Sequence, residues 1–300
     1  MEKIASPGKL LLTSEYVVLD GALALAVPSQ WGQSMEVAET EGAPSAIFWE
    51  ARHQGERWLS AEIDFSKWEV KSANMLKAAE FICHTLKTLQ GIKPSFQSGK
   101  AYHFKTNLEF LANYGLGSSS TLMANLAKWS GADAFLLNEK ALGGSGYDIA
   151  VAMEQHALLY QIGQEKRKIK HVDFTPDFKD ELIFVHLNQK QDSREGIKLY
   201  KSKNKNSRFI ERFSELTNAV LEAPSLSDFS ELMQSHEALL SEFLGLETVK
   251  EKYFRDCPVF MKSLGAWGGD FILSAKFSGY KDYFSEKGFE HLFEYKDIIL

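Results

Sequence analysis

Hydrophobic and polar positions alternate along the start of the chain. "YVVLD", "ALALAVP", "QSMEVAET" and "AIFWEAR" carry apolar residues at period two or in short unbroken runs, with Gly, Pro and Ser between them, and predict strands over the first 65 residues. The period then changes. Leu76, Ala79, Cys83, Leu86 and Leu89 recur three or four apart, on one stripe of a helix predicted over residues 72–90, with Gly91 as its stop. "AYHFKTNLEF" returns to a strand pattern, and Leu122, Met123, Leu126 and Trp129 mark a further helical stripe ending at Gly131.

Beyond a glycine-rich turn, "AVAMEQHALLYQ" reads as a helix, and "KRKIKHVDF" and "ELIFVHL" as strands. Helices follow over residues 208–223 and 227–246; in the second, Phe229, Leu232, Met233, His236, Leu239, Leu240 and Phe243 share one face. His236 on that stripe is expected to be a core histidine rather than a ligand. A strand "FILSAKF", a short helix over 280–287 and a strand "FEHLFEY" complete the chain. Strands first, mixed elements next and helices with a few strands last make an α+β order rather than a strict βαβ alternation. Pro176, among the polar residues of "DFTPDFKD", marks the best linker and divides residues 1–175 from 176–300.

Composition narrows the partners. The 300 residues are 44% hydrophobic and 25% charged, within the globular range and ample for a core. A net charge of −6 argues against nucleic acid but leaves room for a small anion held by local cations and backbone N–H groups. Cys83 and Cys257 form no C-x-x-C pair, and Cys83 lies on an apolar stripe, so a buried thiol is expected at Cys83 and no disulfide framework. The N-terminus does not read as a signal peptide, and no apolar run is long enough to span a membrane. A cytoplasmic protein, monomeric or homodimeric, is expected.

Four glycine-rich segments carry candidate chemistry. "NYGLGSSST" precedes a predicted helix: its glycines let the backbone approach a ligand, the helix N-terminus offers unpaired N–H groups, and its hydroxyls can meet phosphate or Mg²⁺. The same residues also fit an ordinary serine-capped helix, and neither the Walker nor the dinucleotide pattern matches. In "GGSGYDIA", Asp148 is either a proton acceptor beside a flexible turn or a first-turn acid answering the helix dipole. In "SPGKLLLTSEYVVLDG", Lys9 stands at the start of a buried strand, either snorkelling or aimed into a cleft, and Glu15 poses the same choice. "LGAWGGD" reads equally as a hairpin loop or a backbone cradle.

Taken together and in order, "SPGKLLLTSEYVVLDG", "NYGLGSSST", "GGSGYDIAVAMEQHALLYQ" and "SLGAWGGDF" resemble the motifs of the GHMP kinase superfamily over nearly the whole chain, and "YDIA" is similar to a bacterial GYDIA-type subgroup. The resemblance implies an α+β fold in two domains: a ribosomal S5 domain 2-like N-terminal half that binds ATP, and a ferredoxin-like C-terminal half. It implies ATP phosphates on Gly115, Leu116, Gly117, Ser118, Ser119 and Ser120, Mg²⁺ on Ser119 with Glu139 as the nearest further acid, and Asp148 and Lys9 as catalytic residues. Glu15, Ser145, Gly146, Gly265, Ala266 and Gly268 are implied at the acceptor site.

Three features depart from the family pattern. Ser14 stands before Glu15 where glycine is usual, Glu139 is out of register with the family's magnesium-binding glutamate, and Trp267 and Asp270 occupy usual glycine positions. Trp267 either narrows the acceptor pocket or packs beneath its loop. The first segment looks more like mevalonate and phosphomevalonate kinases than like sugar kinases, and "HLNQKQDSREGIKLY" resembles the loop where Lys190, Ser193 and Arg194 could meet an anionic acceptor. Mevalonate is therefore the first expected acceptor. Phosphomevalonate, homoserine or a sugar, and a non-catalytic ligand-binding protein, are the alternatives.

Overall fold

The computed structural model describes residues 3–188 and 193–300. In chain order the elements are β1 (Lys3–Leu11), β2 (Ala24–Glu41), β3 (Ala46–His53), β4 (Glu56–Asp64), β5 (Glu69–Ala73), α1 (Leu76–Ile92), β6 (Lys100–Leu108), α2 (Ser118–Ser130), α3 (Ala134–Ala141) and α4 (Tyr147–Glu154). They continue with β7 (Leu158–Ile162), β8 (Arg167–His171), β9 (Leu182–His186), α5 (Ser193–Ser202), α6 (Ser207–Leu221), α7 (Leu226–Leu244) and α8 (Val249–Tyr253). The last are β10 (Met261–Leu264), β11 (Phe271–Ala275), α9 (Tyr280–Glu286), β12 (Leu292–Glu294) and α10 (Tyr295–Ile298).

The chain divides into two compact units. One holds residues 3–8, Trp31–Ala112 and Gly117–Gln155; the other holds Lys9–Gln30, Asn113–Leu116 and His156–Leu300, and so contains the stretch around Pro176. In the first unit the strands run β5-β4-β3-β6-β2, with β3 and β6 parallel and the other pairs antiparallel. The inward side chains Met35, Ile47, Trp49, Ile63 and Phe104 pack on the apolar faces of α1 and α2, through Leu86, Leu89, Met123 and Leu126. In the second unit β7 pairs with Ala24–Ala26 of β2 and with β8. A separate antiparallel sheet there runs β10-β11-β9-β12, with Ile183, Val185 and Ile272 in the core beneath it. A further apolar cluster gathers Val17, Tyr200, Phe213, Leu240 and Leu244, which ties α5, α6 and α7 to the segment after β1.

The helices expected at α1, α2, α6, α7 and α9 are present within a few residues, and both cysteines are buried free thiols. Several strand and boundary expectations change. "YVVLD" is not a strand: Ser14 and Tyr16 take φ of 64° and 62°, Gly21 follows at 88°, and Val17–Asp20 forms a 3₁₀ turn whose valines are buried. Residues 72–73 belong to β5 rather than α1, which runs past Gly91 to Ile92. Lys9 stands near the end of β1 rather than at its start. The helix expected over "AVAMEQHALLYQ" stops at Glu154, where Gln155 turns left-handed at φ 55°, and β7 takes the rest. "FEHLFEY" holds a three-residue strand and then turns into α10. Short apolar runs do not by themselves separate helix from strand, and these turns are where that ambiguity falls.

Candidate functional site

The serine segment forms a left-handed turn that leads directly into a helix. Gly115 and Gly117 adopt φ of 67° and 85°, Leu116 between them is fully buried, and α2 starts at Ser118 with no side-chain cap. Ser120 Oγ donates to the Gly117 carbonyl at 2.8 Å and Thr121 Oγ1 to the Ser118 carbonyl at 2.9 Å. Those hydroxyls are thus turned back on the loop, while the Ser119 side chain is exposed. A helix whose first N–H groups have no side-chain acceptor presents partial positive charge to whatever anion approaches it, and an exposed hydroxyl there suits phosphate or a hard cation. The residues present therefore fit a phosphate group, and the Ser119 hydroxyl suits a hard cation beside it.

The unit that holds α2 repeats this device. Gly143, Gly144 and Gly146 all take positive φ, and α4 begins after Gly146, again with no side-chain cap. Asp148 is half-buried in its first turn and accepts the Ile149 N–H at 3.0 Å. Ser145 is buried, and Glu139 is exposed on α3. Lys128 on α2 is a cation the sequence did not single out. Its ammonium donates to Ala5 O (3.0 Å), Ser6 Oγ (2.8 Å) and Ala152 O (3.2 Å), and burial lowers its pKa. It fastens the start of β1 to the last turn of α4.

The second unit brings together Lys9, Gly115 and Asp270. Lys9 is buried; its Nζ donates to the Gly115 carbonyl at 2.7 Å and its backbone N–H to the Leu116 carbonyl at 3.0 Å. The Asp270 carboxylate lies against the Gly115 Cα, so closely that a Cβ at Gly115 would meet Oδ2 at 2.1 Å. Asp270 itself takes φ 52°, and its carbonyl accepts the Leu187 N–H at 2.8 Å. Gly265 and Gly268 both take positive φ in the loop just before it.

Glu15 is buried in the same unit. Its Oε1 accepts from Lys262 Nζ at 2.7 Å, and Lys262 Nζ lies 3.4 Å from Glu237 Oε2. Burial outweighs the lysine and pushes the Glu15 carboxyl up to about 7. His236 is, as expected, a core histidine. Its Nε2 accepts the Ser14 N–H at 2.7 Å, and burial, with Lys262 nearby, holds it well below the usual imidazole range. Trp267 packs beneath its loop: it joins the cluster around Tyr200, its backbone N–H donates to Tyr16 Oη at 2.7 Å, and its indole N–H to the Glu247 carbonyl at 3.2 Å.

The expected residues thus fall in two groups. Gly117, Ser118, Ser119, Ser120, Glu139, Ser145, Gly146 and Asp148 belong to the first unit; Lys9, Glu15, Gly115, Leu116, Gly265, Ala266 and Gly268 belong to the second. Lys190 lies outside the described residues, and Ser193 and Arg194 begin α5. Lys262, Glu237 and Tyr16 escaped sequence reading, although the lysine inside "VFMKSLG" was a signal: a lone charge in an apolar run needs a buried partner. Among the described residues no group of three or more His, Cys, Asp or Glu side chains could hold a metal ion, and no helix is long and apolar enough to cross a membrane. A cleft of about 340 Å³ lined by Asn206, Arg208, Phe209 and Arg212 contains none of the expected residues.

No family model and no curated protein matches the sequence. Solved structures do match the fold. Streptococcus pneumoniae phosphomevalonate kinase in complex with phosphomevalonate and AMPPNP aligns at a TM-score of 0.71 and 18% identity, over 98% of this chain and 100% of that one. L. major mevalonate kinase in complex with R-mevalonate aligns at 0.70 and 15%, over 98% and 95%. Lactococcus lactis galactokinase complexed with galactose aligns at 0.62 and 14%, over 95% and 88%. These are GHMP kinase superfamily members, and the chain has their mixed α/β fold.

Proposed function

We propose that the chain is an ATP-dependent kinase of a small molecule, transferring the γ-phosphoryl group to an alcohol or phosphate group of a mevalonate-type acceptor, with mevalonate first and phosphomevalonate second. The observation that carries it is the uncapped N-terminus of α2 behind two left-handed glycines, in a chain with the fold of kinases, one of which holds AMPPNP. The proposal assigns residues 1–175 to an S5 domain 2-like ATP-binding half and 176–300 to a ferredoxin-like half. The antiparallel order β10-β11-β9-β12, with helices between β9 and β10 and between β11 and β12, supports the second assignment.

In this proposal the N–H groups at the start of α2 hold the phosphates, and Ser119 and Glu139 supply oxygen ligands to Mg²⁺, which neutralises phosphate charge when bound. Asp148 accepts the proton of the acceptor hydroxyl as that oxygen bonds to the γ-phosphorus and the bond to the β–γ bridging oxygen breaks. Lys9 stabilises the negative charge of the transferred group. Ser145, Gly146, Gly265, Ala266 and Gly268 shape the acceptor site; Glu15, expected among them, is buried against Lys262.

ADP release from the purified protein, measured with mevalonate, phosphomevalonate, homoserine and galactose, tests this function. Turnover with one acceptor, lost in Asp148→Asn, is expected. Nucleotide binding without turnover on any acceptor would replace the kinase by a non-catalytic ligand-binding protein.

A further inference from the structure

Four ionisable side chains, Glu15, His236, Glu237 and Lys262, meet in the interior of the second unit, each 2% exposed or less. Lys262 Nζ stands between two carboxylates, 2.7 Å from Glu15 Oε1 and 3.4 Å from Glu237 Oε2, and also donates to the Ser263 carbonyl. Glu237 in turn accepts the Ser263 N–H at 3.1 Å and the Ser263 hydroxyl at 2.7 Å. The other Glu15 oxygen, Oε2, has no hydrogen-bond partner and faces His236 Nε2 at 3.6 Å. That nitrogen already accepts the Ser14 N–H, so it has no proton to offer the carboxylate.

These contacts converge on the entry to the glycine-rich loop at 265–269. Lys262 and Ser263 lie in β10 just before it, and Tyr16, the next residue after Glu15, accepts the Trp267 N–H from within it. Glu15 has little freedom to leave. Its neighbours Ser14 and Tyr16 both take left-handed φ, a conformation that non-glycine residues hold only when their surroundings impose it. Ser14 Oγ donates to the Leu23 carbonyl at 2.6 Å and lies 3.2 Å from Thr217 Oγ1 of α6.

We propose that Glu15 is a positioning residue for this loop: its carboxylate acts through Lys262, and its protonation state sets how the loop around Trp267 is seated. The consequence for catalysis rests on the kinase proposed above; the conformational coupling does not. With both glutamates ionised, one lysine faces two negative charges away from water. A proton on Glu15 leaves one charge of each sign and removes the negative charge from a carboxylate whose Oε2 has no hydrogen-bond partner. The titratable groups that face Glu15 among the described residues are Lys262 from β10 and His236 and Glu237 from α7. Burial and Glu237 both raise the Glu15 carboxyl while Lys262 lowers it, which puts its titration near neutrality, at about 7.

Trp267 is the one tryptophan of the second unit, and it reports the loop directly. Labelling the protein with 5-fluorotryptophan and following ¹⁹F resonances from pH 5 to 9, with the Trp267 signal identified by Trp267→Phe, needs no turnover. The expected result is a Trp267 shift with a midpoint near 7 that disappears in Glu15→Gln, whose signal stays at the low-pH position. Glu237→Gln removes a like charge and is expected to move the midpoint to lower pH. An unchanged titration in Glu15→Gln, or no titration in the parent protein, overturns the proposal. So does a Glu237→Gln midpoint that stays or rises, which serves as the test should Glu15→Gln fail to fold. Absence of kinase turnover on every acceptor would leave these shifts untouched, so the two proposals fail separately.

Discussion

Asp270 closes over the Cα of Gly115. A Cβ on that glycine would sit 2.1 Å from Asp270 Oδ2 and 2.2 Å from its Cγ, and the glycine already holds φ at 67°. Two independent constraints, a left-handed backbone and a carboxylate at contact, therefore exclude any side chain at the loop that starts the candidate phosphate site. Gly115→Ala is expected to lower the unfolding free energy by about 2 kcal/mol or more, since the left-handed backbone alone costs an L-residue roughly 1–2 kcal/mol. Urea unfolding checks this. In an Asp270→Ala background the clash is gone and only the backbone part of the loss should remain.

Gly196 and Tyr16 give a case in which helix propensity predicts the wrong sign. Gly196 lies within α5, where alanine is ordinarily favoured over glycine by about 1 kcal/mol. Here a Cβ would meet Tyr16 Oη at 2.3 Å and Cζ at 2.7 Å, and that hydroxyl is the acceptor for the Trp267 N–H. Gly196→Ala should thus destabilise the protein. In a Tyr16→Ala background the same substitution should stabilise it, and a thermal-unfolding double-mutant cycle reads the reversal.

What the sequence made legible was local. The stripe of Leu76, Ala79, Cys83, Leu86 and Leu89 and that of Phe229 to Phe243 announce α1 and α7 because helical period needs only neighbouring residues. Glycine placement announced the turns at 115–117 and 143–146. The reasons for several of these positions are distant. Gly115 is bare because of Asp270, and "YVVLD" fails as a strand because Ser14 and Tyr16 are held left-handed by tertiary contacts. Lys262 finds its carboxylate 247 residues away in sequence, a pairing that no spacing rule signals. The candidate catalytic residues came from the order of four motifs, since Lys9 and Asp148 each had an ordinary structural explanation when taken singly.

If the kinase proposal holds, Asp148→Asn is expected to cut kcat by about 10²–10⁴-fold, the usual contribution of a positioned proton acceptor, with little change in nucleotide affinity. Lys9→Met should also lower kcat. Because Lys9 Nζ donates to the Gly115 carbonyl at 2.7 Å, it should weaken nucleotide binding as well, through loss of order in the loop. Steady-state kinetics beside nucleotide titration separates the two patterns. Equal loss of affinity in both variants would count against the distinction.

The buried cluster predicts opposing pH dependences of stability. The folded-state pKa of Glu15 is raised from an ordinary 4.5 to about 7, so the native protein binds a proton that the unfolded chain releases. Its contribution to stability is fully present below about 4.5 and is lost as pH rises through about 7. His236 is shifted the other way, well below 6.5, so its contribution is present above that value and is lost as pH falls beneath it. Between 4.5 and 6.5 the two slopes oppose each other, and above 6.5 only that of Glu15 remains. Unfolding free energies across pH 4 to 8, compared with those of Glu15→Gln and His236→Gln, resolve them. Relative to Glu15→Gln the parent protein should lose stability as pH rises toward 7, and relative to His236→Gln it should lose stability as pH falls below 6.5. Parallel curves for parent and Glu15→Gln would mean that Glu15 keeps the same charge in the folded and unfolded states throughout this range.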